Sequence, residues 1–291
     1  MPGSLIEQVT LAAVDHSSFA TAVTDYASWA AQRLGTPLEL LHVINRHPEI
    51  ASDQSDHSGA IGIDAQAQLL ANLSNDDEQR SKAAREAGRV FLADLQRRSL
   101  TQTSTAVDIK QRFGYLHETL IQREPSVQLF VLGRRGTSAQ MTQRDLGRNL
   151  EQVVRALHKP ILVATDAFSE PTRALFAFDG SHISKRGVRM LAASPLLRNI
   201  PIDLLNVGHA TAAKQDRLDW AARKLKKAGF DITTDIIAGD PETVIAREIT
   251  ERSADFLIMG AYSHSPLRSW LFGSKTSDLL RSATVPTLLL R

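Results

Sequence analysis

An internal repeat constrains this chain more than any single motif does. Val9 to Val14 is a short apolar run closed by Asp15-His16-Ser17-Ser18, and Ala174 to Phe178 is another, closed by Asp179-Gly180-Ser181. Apolar residues at helical spacing follow each run: Phe19, Ala22, Tyr26, Trp29, Ala30 and Leu34 in the first copy, Val188, Leu191 and Ala192 in the second. A second apolar run then comes in both, Leu38 to Val43 and Ile202 to Val207. Asp15 and Asp179 stand 164 positions apart, and so do Val43 and Val207. Gly114 and Gly239 open LHETLIQ and PETVIAREI, Leu129–Gly133 answers Leu257–Gly260, and Pro160-Ile161-Leu162 answers Pro286-Thr287-Leu288. The later offsets fall to about 126, because the first copy carries extra residues after its second strand. Repeats of this length are whole folding units; solenoid repeats run about 20–50 residues.

Each copy reads β-α-β-α-β-α-β-α-β, with right-handed crossovers expected. Runs of branched and aromatic residues without polar alternation fit parallel strands covered on both faces. The layout is α/β: two tandem open parallel five-stranded sheets with helices on both faces. The units are expected at residues 1–167 and 172–291, separated by the polar connector Thr165-Asp166-Ala167-Phe168-Ser169-Glu170-Pro171. Asp15 or a following serine is expected to cap the first helix, and Gly35 to stop it. The extra segment spans about 46–83. Its polar stretch ASDQSDHSGAIG reads as a loop, and Ser74-Asn75-Asp76-Asp77-Glu78 as the cap and acidic first turn of a long helix ending near Arg97. Val90, Phe91 and Leu95 are expected to be its buried stripe. The matching helix, about 212–228, carries Leu218, Ala221, Leu225 and Ala228 on one face and basic residues on the other. The last strands, Ile161–Ala164 and Thr287–Leu290, are edge candidates that the two halves can pair with each other.

One stretch points to chemistry: ADFLIMGAYSHSPLRSWLFGSKTSDLL, from Ala254 to Leu280. Phe256 to Met259 form an unbroken apolar run ended by Gly260. Gly273-Ser274-Lys275-Thr276 then opens a further helix. A glycine at a strand tip and a small hydroxyl-rich turn at a helix start form a cradle of backbone N–H groups that favours an anion, most often a phosphate. In a doubly wound sheet the loops after strands one and four meet where strand order reverses, so Asp179 is expected to face Gly260 across that crevice.

These residues resemble the signature of the universal stress protein family, Gly-x2-Gly-x9-Gly-Ser/Thr, which closes the family's ATP-binding loop. Gly260 matches the first glycine, Gly273 and Ser274 the last pair, with Ser263 standing where the second glycine is expected. The resemblance covers nearly the whole chain, as two tandem units of the Rossmann-like, adenine nucleotide α-hydrolase-like group. It implies ATP or ADP in the second unit: Asp179 by adenine and ribose, Val207 packed on the adenine beside the Met259 strand end, and Gly260, Ser263, Gly273, Ser274 and Thr276 around ribose and phosphates. Lys275 and Arg268 are the nearest cations. A magnesium or manganese ion would arrive with the nucleotide, since the site offers few carboxylates of its own.

The first copy departs further. Asp15 and Val43 are in place, and Gly133 and Gly136 give the first two glycines. Ten residues, not nine, then separate Gly136 from Gly147, and Arg148-Asn149 replaces the hydroxyl pair. Arg134, Arg135, Arg144 and Arg148 crowd this loop, an anion-attracting field. The reading adopted is a degenerate site kept for fold and pairing; a site for a different phosphate ligand is the alternative.

Other classes are narrowed by what the sequence lacks. There is no cysteine, hence no disulfide or thiolate chemistry, and no Gly-x-Ser-x-Gly elbow, Walker lysine motif or His-Glu-x-x-His. The nine histidines are scattered, with His16, His182 and His264 nearest the proposed sites as surface or capping residues. A net charge of +2 gives no case for nucleic acid, and no apolar run reaches the ~20 residues that span a bilayer. A cytoplasmic, nucleotide-responsive signalling module with an unidentified protein partner is the resulting expectation, at most a slow ATPase. An interaction scaffold in which Ser263 has abolished binding, and an adenylating enzyme of the same fold group, are the two alternatives. Whether the whole chain dimerises further is not legible.

Overall fold

The computed structural model of the protein describes residues 8–44, 63–134, 148–260 and 285–291. The first half contributes β1 (Val9–Val14), α1 (Ala20–Leu34), β2 (Leu38–Ile44), α2 (Ile63–Leu100), β3 (Val107–Phe113), α3 (Leu116–Arg123), β4 (Val127–Gly133), α4 (Arg148–Ala156) and β5 (Ile161–Ala164). The second contributes β6 (Ala174–Ala177), α5 (His182–Ala193), β7 (Ile202–Val207), α6 (Ala212–Lys227), β8 (Ile232–Ile237), α7 (Pro241–Glu251), β9 (Phe256–Gly260) and β10 (Thr287–Leu290).

All ten strands belong to one sheet, in the order β3-β2-β1-β4-β5-β10-β9-β6-β7-β8. Within each half the pairings are parallel. The halves meet where β10 runs antiparallel to β5, Leu288 opposite Leu162. The two expected sheets are thus joined edge to edge, and the edges that either half alone would expose are paired with each other.

Side-chain alternation along the strands supplies two apolar layers. Ala12, Val14, Leu38 and Phe176 pack beneath α1, α2, α5 and α6; Leu11, Leu41, Leu175 and Leu257 pack beneath α3, α4 and α7. Fully buried strand residues on both faces explain why these runs read as continuously apolar.

Three local expectations need correction. The residue before α1 is Phe19, with no side-chain cap, so neither Asp15 nor a serine caps that helix. Gly35 does stop it, in a left-handed conformation at φ 66°. The long helix begins at Ile63, ahead of the expected cap at Ser74–Glu78. Its buried stripe is also rotated: Leu92 and Leu95 are buried, whereas Val90 is exposed. One step of helix turns a side chain by about 100°, and the β2–β3 pair selects the face bearing Gly88 and Leu92. The polar stretch at 51–62 lies outside the described residues.

Candidate functional site

In each half the strand order reverses once, between β1 and β4 and between β6 and β9. In the second half, β6 and β9 pair in parallel with Ala177 opposite Met259, so the Asp179 turn and Gly260 leave the same rim of the sheet on neighbouring strands. Val207 ends β7, the strand on the other side of β6. Asp179, Val207 and Gly260 are half-buried there, and Met259 is buried.

Local chemistry shapes this rim. The Asp179 carboxylate accepts from the Ser181 N–H at 3.0 Å, and Gly180 turns the chain at φ 72°, a conformation that favours glycine. Ser181, not Asp179, then caps α5, its Oγ accepting from the Ser184 N–H at 3.2 Å. That first helical turn comes up against the end of β9. A Cβ on Gly260 would stand 3.4 Å from Ile183 Cγ2 and 3.7 Å from the Ser184 nitrogen. Two cations from α6 reach back over the same rim. Lys214 Nζ occupies the space a Cβ on Gly208 would fill, and the Arg217 stem lies 2.9 Å from where a Cβ on Gly180 would be. Lys214 and Arg217 are additional to Lys275 and Arg268, the cations expected from the sequence. The signal for Lys214 and Arg217 was a pair spaced i, i+3 just inside the helix that follows β7.

The first half repeats the scaffold with a different lining. The Asp15 carboxylate accepts from the Ser17 N–H at 3.1 Å, and Gly133 ends β4 beside β1, with Ala13 opposite Leu132. Val43 lies near the end of β2. His42 Nδ1 lies 2.9 Å from the Val14 carbonyl, where Asn206 in the second half donates to the Phe178 carbonyl at 2.8 Å. His16 stands where the second half has Gly180, and its ring lies 4.2 Å from Phe91 and 5.2 Å from His42. Burial pushes the His42 pKa below the ordinary 6.5; the Val14 carbonyl opposes this and the His16 charge adds to it. An aromatic cluster therefore covers the first rim where small residues and cations line the second. Arg134, expected to join a basic field, is instead buried and donates to the Val285 carbonyl of the other half at 3.0 Å.

Gly136, Gly147, Ser263, Gly273, Ser274, Lys275 and Thr276 lie outside the described residues, as do Arg135, Arg144, His264 and Arg268. Among the described residues no three His, Asp or Glu side chains gather as a metal ligand set, and no helix is long and apolar enough to cross a membrane.

Two parallel halves of one sheet, each reversing its strand order beside an Asp turn and a glycine-ended strand, define a doubly wound α/β protein of the Rossmann-like kind. The universal stress protein family matches residues 8–165 and again 171–291, and the chain belongs to that family. Universal stress protein Slr1230 of Synechocystis sp. is 31% identical over 283 residues, 97% of this chain and 99% of its own length. A crystal structure of a universal stress protein from Archaeoglobus fulgidus DSM 4304 superposes with a TM-score of 0.67 at 17% identity, over 97% of this chain and 96% of that one. A universal stress protein solved in complex with cAMP is 25% identical over 42% of this chain and 98% of its own, with a TM-score of 0.34.

Proposed function

We propose that the second half, residues 172–291, binds an adenine nucleotide, ATP or ADP, at the rim shared by β6, β7 and β9. The observation that carries this reading is the convergence of the Asp179 turn, the half-buried Val207 and Gly260 at one switch point, under two cations from α6. The residues fit the ligand's parts. Val207 offers an apolar surface to a base, the carboxylate of Asp179 suits ribose or exocyclic donors, and Lys214 and Arg217 supply positive charge for phosphates. Residues 260–276, with Ser263, Gly273, Ser274, Lys275 and Thr276, complete the phosphate cradle in this proposal, and any magnesium or manganese comes with the nucleotide.

The first half serves the fold more than the ligand. His16, His42 and Phe91 occupy its rim, so Asp15, Val43, Gly133, Gly136 and Gly147 are proposed as remnants of a second site. Binding would change what the stretch between Gly260 and Gly273 offers a protein partner, making the chain a cytoplasmic nucleotide-responsive module. Calorimetric titration of the full chain with ATP tests this. One equivalent is expected to bind, weakened at least about tenfold by Gly260→Val, whose branched side chain would fill the space between β9 and α5. No saturable heat at millimolar nucleotide would overturn it.

A further inference from the structure

The two helix pairs on one side of the sheet, α1 with α2 and α5 with α6, differ sharply in charge. α5 and α6 together hold nine of the chain's 34 lysines and arginines but only two of its 32 acidic residues, Asp216 and Asp219. The net charge of +2 conceals this segregation. The two helices pack side by side, with the Arg189 guanidinium 5.4 Å from the centre of the half-buried Trp220 ring. Around this contact Arg186 and Arg189 on α5 and Arg223, Lys224, Lys226 and Lys227 on α6 are all exposed.

Two ordinary explanations of a basic helix do not account for this face. Cations in a last turn complement the helix dipole, which covers Lys224, Lys226 and Lys227. α5 has no basic residue in its last turn, however, and Arg223 lies ahead of the last turn of α6. A solvated face mixes its signs, as α2 does: Lys82 pairs with Glu78, Arg89 with Glu86 and Arg97 with Asp94. On α6 Asp219 instead accepts from Gln215 Nε2 at 2.9 Å. The ion pairs of the second half use Arg173, Arg247 and Arg252, and among the described residues none of the six exposed cations joins one.

We propose that the α5–α6 face binds the phosphate backbone of a nucleic acid, without reading its bases, whether or not the nucleotide rim is filled. What the face lacks selects this partner. The large apolar side chains exposed among the described residues are Val90, Leu100, Tyr115, Ile121 and Phe168, none of them on α5 or α6. A lipid surface needs an apolar wedge, and a protein interface an apolar centre. Lysines and arginines spread over two helices, with one half-buried aromatic between them, suit phosphates instead. From Arg217, at the nucleotide rim, to Lys227 α6 runs ~15 Å, over which one strand of a duplex places roughly four phosphates.

The test titrates the full chain into labelled mixed-sequence probes of about 20 nucleotides, a single-stranded RNA and a duplex DNA, read by fluorescence anisotropy at ~50 mM salt. Saturable binding to at least one probe is expected, with a Kd of about 10 μM or tighter and a steep loss as salt rises. The triple variant Arg223→Gln, Lys224→Gln, Lys227→Gln should weaken binding at least about tenfold and reduce the salt slope by about 2. A control that removes the same charge from α2, Arg80→Gln, Lys82→Gln, Arg89→Gln, should stay within about twofold of the parent. All of these positions are exposed, so both triple variants should keep the parent's melting temperature. No binding to either probe, or equal weakening in the two triple variants, would overturn the proposal. So would polyglutamate competing as well as unlabelled nucleic acid, or phosphatidylglycerol vesicles capturing the chain more tightly than either probe.

Discussion

His42 and Asn206 occupy one position of the repeat and do one job, bonding to the carbonyl that ends the neighbouring first strand. They differ in what acid does to them. His42 has a pKa below 6.5 in the folded chain, chiefly because burial disfavours its charged form. Between that lowered value and 6.5 the unfolded chain therefore binds more protons. The stability it contributes is complete above pH 6.5 and is lost as pH falls through the interval. Acidification from pH 7 to about 5.5 should lower the unfolding midpoint, and His42→Asn should make that drop smaller. An unchanged pH slope in urea titrations of the variant would count against this account.

A second pair of equivalent residues lies at the opposite end of the strands. Glu39 on β2 and Asp203 on β7 are both buried carboxylates held by cations: Glu39 by Lys110 and Arg123, Asp203 by Arg173 and Arg252. Burial would raise the Asp203 pKa, but hydrogen bonds from Arg173 and Thr233 and the charges of both arginines outweigh it and hold the group below 3.8. Removing the fork with Arg173→Met should cost about 2 kcal/mol, less than a fully buried pair because the guanidinium is 39% exposed and Arg252 remains at 3.7 Å. A thermal melt within error of the parent would show that Arg252 alone suffices.

At the scale of elements, α5 lies so close to β10 that a Cβ on Gly187 would collide with the Leu290 side chain. Gly187→Val should destabilise the chain by about 2–3 kcal/mol, visible as a lower melting temperature, because the packed core has no room to shift. Elements whose signal is local were legible in the sequence. The central strands are covered on both faces and so read as nearly uninterrupted apolar runs, and Gly35 supplied the left-handed residue that stops α1. The face of α2 was not, because Val90 and Leu92 are equally apolar and only the β2–β3 surface distinguishes them. The rim itself was legible through Asp179, Val207 and Gly260, since strand ends and switch points follow from topology. Lys214 and Arg217 were not, because their reach depends on where α6 sits over Gly180 and Gly208.

For the whole molecule the decisive feature is the β5–β10 seam. Leu162 and Leu288 face each other there, both with no exposed surface, and belong to an apolar cluster that also contains Trp29 and Phe256. A sheet continuous across the repeat makes the halves one cooperative unit. Leu162→Ala should cost about 3 kcal/mol and shift a single urea transition, with circular dichroism and tryptophan fluorescence coinciding. Two separated transitions would contradict that cooperativity.

The claim on which the functional account turns is that a nucleotide settles on the second rim and not the first. Amide hydrogen exchange of the full chain, with and without saturating ATP, addresses it directly. The account predicts slowed exchange from Phe178 to Ser184, at Val207 and Gly208, and at residues 260–276, with no change from Val14 to Ser18. Protection confined to the first half, or absent from both, would contradict it.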